Sequence, residues 1–320
     1  MTDLKKIFIL ILVVCGIFVW QMRSLIYQRV PVSETTIFIE KGNGSYTVAQ
    51  KLAQSELIKS PLLFRLAARM FGLDKSLKAG EYEFSGRVSI YDIIQKIAAG
   101  DVLQHRITLP EGLTTAQMLT IINNSPLLSG EITIPVKEGE LLPETYQFVK
   151  GDTKDSIVYQ AKNAMKTLLE RTWNERAQNL PLKTPHQLLI LASIVEKETG
   201  LPEERGLVAS VFTNRLIKGM KLQTDPTVIY ALTLGKSDLG RLLTRKDLAF
   251  NSPYNTYVYY GLPPEPICNP GKDALQAAAQ PEISDYLYFV AKGNGGHNFS
   301  ATLSQHNQNV QNWKKSKKAE

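Results

Sequence analysis

PHQLLILASIVEKETG, residues 185–200, decides how this chain is read. A proline opens it at a position where a first-turn amide has no helical partner to lose. Leu188 to Val195 is then apolar nearly all round, the pattern of a helix buried on every side. Glu196-Lys197-Glu198 follows, and Gly200 is expected to close the helix. Two carboxylates therefore stand at the end of a buried helix. On a wheel of about 100° per residue, Glu196 falls between Leu189 and Ala192, and Glu198 falls roughly 200° further round, near Leu191 and Ile194. They do not face one cleft. A carboxyl against apolar neighbours has its charged form disfavoured, which raises its pKa toward the value a general acid needs near neutrality. By periodicity alone, Glu-Lys-Glu reads equally well as a solvated helix end.

Outward from that helix, Asp155 to Ala177 and Pro202 to Ile217 carry helical patterns on either side. Beyond Leu222 the text is loop-rich, with Asn251-Ser-Pro-Tyr-Asn255, Gly261-Leu-Pro-Pro264 and Gly293-Asn-Gly-Gly296, and a strand is expected over Tyr286 to Ala291. Loops of that density beside a helical scaffold usually line something. Upstream, Ile37-Phe38-Ile39, helices over Val48 to Leu57 and Leu62 to Phe71, and Gly80 to Phe84 spell a βααβ unit. A further helix runs from an N-cap at Ser89 to Ala99 and ends at Gly100. The pattern partly recurs as Ile107-Thr108-Leu109, Pro110-Glu111-Gly112 and a helix over Thr115 to Ile122, a weak internal duplication.

The N-terminus supplies the sharpest compositional signal. Lys5 and Lys6 precede Ile7 to Met22, sixteen residues without a charge, and Arg23 follows. Sixteen residues rise roughly 24 Å, short of the ~30 Å hydrocarbon core, and extending the helix to Tyr27 with Arg23 snorkelling closes the gap. Trp20-Gln21-Met22 offers no small-x-small cleavage site, so the segment is expected to stay as an anchor rather than leave as a signal peptide. A short leader before the helix favours its staying inside, which sends the chain after about Arg29 across the membrane. The 320 residues carry 43% hydrophobic and 21% charged side chains, ordinary globular composition rather than disorder. The formal charge of +7 is dispersed apart from Lys314, Lys315, Lys317 and Lys318, a solvated tail, so nucleic acid is not an expected partner. Cys15 lies in the apolar run and Cys268 in a proline-rich stretch, so neither a disulfide nor a zinc site is expected.

ASIVEKETG (192–200), VFTNRL (211–216), LQTDPTVIY (222–230), SPYNTY (252–257), GLPPEPICNPG (261–271) and YLYFVAKGNGGHNFS (286–300) together resemble the endolytic murein transglycosylase (YceG-like) family, in order and in register. EGELLPETY (138–146) resembles the family's pre-catalytic motif, with Leu142 and Glu144 where Phe and Asp are usual. The resemblance implies an α+β protein: a leader (1–6), a transmembrane anchor (7–27), a LysM-like module (28–100), a second small α/β module and connector (101–150), and a mainly helical, loop-rich catalytic domain (151–320). It implies cleavage of the β-1,4 bond between N-acetylmuramic acid and N-acetylglucosamine, on the outer side of the inner membrane, with no cofactor. The implied partners are glycan strands, the membrane and peptidoglycan synthases. It assigns the catalytic role to the first carboxylate of the run, Glu196, which would protonate the leaving oxygen and then take the proton of the muramyl C6 hydroxyl, leaving a 1,6-anhydro end. Asn214, Arg215, Gln223, Asp225, Tyr254, Asn255 and Thr256 are expected to line the groove. Asn214 and Arg215 read equally as capping or pairing groups, and Asp225 before Pro226 as a turn initiator. His297 reads as a sugar-positioning group or a donor to a backbone carbonyl, and no second histidine stands at ligand spacing for a metal. Two other readings stay open: a lysozyme-like hydrolase using Asp225 and water, and a non-catalytic glycan-binding scaffold for wall synthases.

Overall fold

A computed structural model describes residues 2–292 and 295–316; Gly293, Asn294, Lys317 and Lys318 of the expected loop and tail lie outside the described residues. The chain divides into two units. The first comprises the residues up to His105 together with 147–152. It begins with α1 (Thr2–Tyr27), whose stretch Leu4–Tyr27 is, among the described residues, the one helix long and apolar enough to cross a membrane. β1 (Val30–Ile39), α2 (Ser45–Gln54), α3 (Pro61–Met70) and β2 (Gly80–Val88) follow in the expected βααβ order, and α4 (Ile90–Ala99) closes the series. β1 and β2 pair antiparallel from Val30↔Val88 to Ile39↔Gly80, with a register shift between Val32 and Thr35. Alternation turns Ile37 and Ile39 inward onto Val48, Leu52, Phe64, Ile93 and Ile97. Ser89 and Asp92 form a reciprocal capping box on α4, and Gly100 ends it at φ 76, the left-handed conformation glycine adopts without a Cβ penalty.

The second unit comprises residues 106–146 with 153 onward. The segment 101–150, expected as a module of its own, is thus divided, and its larger part joins the helical region. Hydrogen bonding supplies the reason. Asn269 accepts the amide of Leu141 at 2.9 Å and donates to the carbonyl of Leu113 at 3.1 Å, and Glu138 accepts the amide of Thr115 at 2.7 Å. The unit contains α5 (Thr115–Asn123), α6 (Lys154–Asn174), α7 (Pro185–Glu198), a 3-10 turn (Pro202–Glu204) leading into α8 (Arg205–Ile217), and α9 (Asp225–Thr233). Its short strands β3 (His105–Thr108) and β4 (Thr145–Phe148) lie where the chain passes from one unit to the other. α10 (Arg245–Leu248), α11 (Lys272–Ala279), the antiparallel hairpin β5 (Tyr288–Ala291) and β6 (His297–Ser300), and α12 (Leu303–Ser316) complete it.

α7 is the axis of this unit. Every side chain from Leu188 to Val195 is buried, against residues of α6, α8 and α11. Truncating one of these leucines to alanine costs roughly 2–5 kcal/mol at such sites. It ends at Glu198, with Thr199 extended; Gly200 does not supply the left-handed cap that the sequence led us to expect. α9 and α11, nine and eight residues long, stand where loops were expected. Segments that short carry little periodic signal, and packing of Val228 and Ala231, or of Ala274, Leu275 and Ala278, stabilises them.

Candidate active site

The two carboxylates at the end of α7 diverge as the wheel requires. Glu198 looks into a cavity of about 440 Å³ that Arg215, Gln223, Asp225, Tyr257 and His297 also line. The hydroxyl of Thr224 donates to Oε1 of Glu198. Burial pushes the Glu198 carboxyl up to about 7, and the negative charge of Asp225 adds to the rise; Thr224, His297 and Arg215 act against it. A carboxylic acid in that range is half protonated near neutrality and serves as proton donor and acceptor in turn.

The neighbours of Glu198 are held in place by further hydrogen bonds. Gln223 sits at φ 49, a left-handed conformation uncommon for a residue with a side chain, and its amide donates to the carbonyl of Thr256 at 3.2 Å. The next amide, of Thr224, donates to Oγ1 of Thr256 at 3.1 Å. This tight loop delivers Gln223, Thr224 and Asp225 side by side. Tyr257 donates its hydroxyl to Oδ1 of Asp225 at 2.6 Å. His297 is gripped twice by Glu204, whose Oε1 accepts the histidine amide at 2.8 Å and whose Oε2 lies 2.6 Å from Nδ1. Glu204 is buried, yet these hydrogen bonds hold its carboxyl below its usual range despite desolvation. Phe289 meets the imidazole edge to face, with ring centroids 5.2 Å apart.

Glu196 is placed differently and does not line this cavity. Its Oε2 accepts the amide of Gly271 at 2.9 Å. Glu111 and Gly112 lie beside it, Lys197 donates to the carbonyl of Gly112 at 3.3 Å, and Arg205 sits 3.7 Å from Glu111 and 3.3 Å from Asp273. A Cβ at Gly271 would meet the Glu111 carboxylate, so the Glu111 side chain packs directly against the residue 271 backbone. Burial raises the Glu196 carboxyl, the Gly271 amide opposes that, and Glu111 adds to the rise. Glu196 thus holds residue 271 at the end of α7, and Lys197 holds Gly112 there. The sequence reading gives the catalytic role to Glu196, whereas three of the expected groove residues line the cavity that Glu198 faces.

Of those expected groove residues, Arg215, Gln223 and Asp225 meet in the cavity. Arg215 is itself tied down, donating from Nε to the carbonyl of Leu287 at 2.6 Å and from Nη1 to that of Leu222 at 2.7 Å. The remaining four do not line the cavity. Asn214 donates to the carbonyls of Ser284 and Tyr286 at 2.8 and 3.0 Å. Asn255, fully buried, donates to the carbonyls of Leu248 and Phe250 at 3.1 and 2.8 Å. Thr256 shares a hydroxyl pair with Thr227 at 2.8 Å, and Tyr254 packs on Tyr230 with centroids 4.9 Å apart. The sequence reading treats Glu198 only as the neighbour of Glu196 and does not single out Tyr257 or Glu204; the pairing of a buried Glu204 with His297, 93 residues on, has no local signal. Among the described residues, no three His, Cys, Asp or Glu side chains cluster as a metal site would require.

A model of the YceG-like family matches residues 37–312 of the chain. The endolytic murein transglycosylase of Bacillus subtilis (strain 168) is 33% identical over 331 residues, covering 93% of this chain and 90% of that protein. The endolytic murein transglycosylase of Streptococcus pneumoniae serotype 2 is 28% identical over 324 residues; the match takes in 86% of this chain and 57% of that longer protein. Among solved structures, the crystal structure of a yceG-like protein from Listeria monocytogenes aligns with a TM-score of 0.52 at 32% identity, covering 86% of this chain and 99% of that one.

Proposed function

The chain belongs to the YceG-like family, and on that premise we propose that it is an endolytic lytic transglycosylase of peptidoglycan with Glu198 as its acid/base. The observation that carries the residue assignment is the cavity in which Glu198, its carboxyl pushed up to about 7, meets Arg215, Gln223, Asp225 and His297. Glu198 donates its proton to the oxygen linking N-acetylmuramic acid to N-acetylglucosamine, and positive charge develops at the anomeric carbon. The Asp225 carboxylate, oriented by the Tyr257 hydroxyl, lies on the same cavity and stabilises that charge. Glu198, now ionised, takes the proton of the muramyl C6 hydroxyl as its oxygen closes on the anomeric carbon. The leaving sugar has gained one proton, the C6 oxygen has lost one, and Glu198 is restored. The product carries a 1,6-anhydro end, and no water is consumed.

The α1 helix anchors the chain in the inner membrane with the rest of the protein outside the cytoplasm, and the βααβ unit acts as a LysM-like glycan-binding module. Acting on nascent strands beside a peptidoglycan synthase, the enzyme would limit strand length. A hydrolase in which Asp225 directs water gives reducing ends instead, and a scaffold gives no new ends. Incubation of peptidoglycan with wild type, Glu198→Gln and Glu196→Gln, read by mass spectrometry of chain ends, separates these. Anhydro ends lost only in Glu198→Gln support the proposal. Loss only in Glu196→Gln returns the role to Glu196.

A further inference from the structure

The anchor helix does not end before the folded unit begins. Ile26 is 1% exposed and belongs to the same core as Ile93 and Phe64. Tyr27 packs on Tyr91 at 4.9 Å and edge to face on Phe71 at 6.4 Å, centroid to centroid. The last turn of α1 is therefore clamped into the βααβ unit, which fixes how close that unit stands to the bilayer.

The groove between α1 and the end of α3 gives the height. Phe18, Val19, Met22 and Arg23 of α1 and Met70 and Phe71 line a space of about 410 Å³, with Arg23 at its upper end, where its charge can reach the interface. At about 1.5 Å per residue, Met22 lies roughly 7 Å and Phe18 roughly 13 Å below Tyr27 along the helix. A ~30 Å hydrocarbon layer beginning after Lys6 takes in some twenty residues, to about Ile26. Phe18 and Met22 cannot lie in that layer while Met70 beside them stays in water. α3 carries the surface this demands. Leu62, Leu66 and Met70 stand four residues apart on one face and are 63%, 43% and 69% exposed. Lys59, Arg65 and Arg69 flank them; Arg69 lies 3.9 Å from Asp74 beyond the helix, and neither α3 nor its N-cap Ser60 contains an acid. An apolar stripe edged by cations on an exposed helix is the pattern of an element lying in a lipid interface.

We propose that the Leu62-Leu66-Met70 face of α3 is immersed in the outer-leaflet interface of the membrane, with phospholipid acyl chains in the α1–α3 groove and phosphates on Lys59, Arg65 and Arg69. This rests on the reading of α1 as a retained anchor. The test uses the full chain in phosphatidylcholine/phosphatidylglycerol vesicles, with nitroxide labels scored for collision with oxygen, which is enriched in lipid, and with a water-soluble nickel chelate. Cys268 is buried and takes no label, so the native Cys15 reports on the span itself. Leu66→Cys, Met70→Cys and Lys41→Cys, each in a Cys15→Ser background, report on the stripe and on an exposed loop after β1. The expected result is several-fold more oxygen and several-fold less nickel exposure at positions 66 and 70 than at 41. Nickel exposure at 66 and 70 equal to that at 41, with Cys15 in lipid, overturns the docking and leaves the anchor intact. Nickel exposure at Cys15 overturns the anchor and the docking with it.

Discussion

Glu196 and Glu198 are two residues apart on one helix, and their surroundings divide the labour. The Glu196 carboxylate accepts the Gly271 amide at the end of α7 and does not line the cavity. Glu198 touches a single protein donor, Thr224, and otherwise faces a cavity lined by Arg215, Asp225 and His297. Both carboxyls are raised by burial. A raised pKa therefore does not by itself single out an acid catalyst, and the proposed assignment to Glu198 rests on the open space beside it.

The substitution that strains this comparison most is Glu198→Gln. An amide has no proton to give, so the rate of anhydro-end formation should fall by about 10²–10⁴-fold, the usual worth of general acid/base assistance. Glu198→Gln that retains near-normal turnover in a chain-end assay removes the distinction altogether. Glu204→Gln or His297→Ala should cost about 10-fold or more, since loss of the two-point grip frees a group positioned over the cavity. The histidine tautomer, followed by ¹⁵N chemical shifts, should become mixed in Glu204→Gln, which mere loss of stability would not produce.

Stability separates the same pair in the opposite direction. The folded-state pKa of Glu198 is raised, so its contribution is fully present below the unfolded value near 4.5 and is lost as pH rises through about 7. Glu198→Gln should accordingly be more stable than wild type at pH 8 and close to it at pH 4, by an amount at most on the order of 3 kcal/mol. Denaturant titrations at the two pH values check this, and equal stability at pH 8 argues that the carboxyl is not buried in solution. Asp225→Asn should move the alkaline limb of kcat/KM, set by protonated Glu198, to lower pH, because a negative neighbour that raises the pKa is gone. A limb that stays put or moves up shows that Asp225 does not act on Glu198. The smallest effect belongs to Glu196→Gln, which keeps an acceptor for the Gly271 amide. Turnover should stay within a few-fold of wild type, with any loss at the level of one hydrogen bond, about 1 kcal/mol in thermal denaturation.

Much of this was legible in the residues. The charge-free run after Lys6, the βααβ order with its Ser89 cap and Gly100 terminus, and the burial of Leu188 to Val195 follow from local chemistry and periodicity, which neighbours in sequence carry. So does the angular separation of Glu196 from Glu198, which is a property of any α-helix. Which of them meets the cavity was not legible, for a physical reason. A helix apolar on every side has no polar stripe to fix its rotation, so the wheel gives the angle between two residues and not the direction either one faces. Rotation is set instead by α8 and α11 packing on α7, and the cavity by Gln223, Asp225, Tyr257 and His297, which arrive from 25 to 99 residues beyond Glu198 in the chain. The same holds for α9 and α11, too short to announce themselves, and for Asn214, Asn255 and Thr256, whose polar side chains look like substrate contacts in sequence. Only the tertiary structure brought them the backbone carbonyls and hydroxyls that they bind.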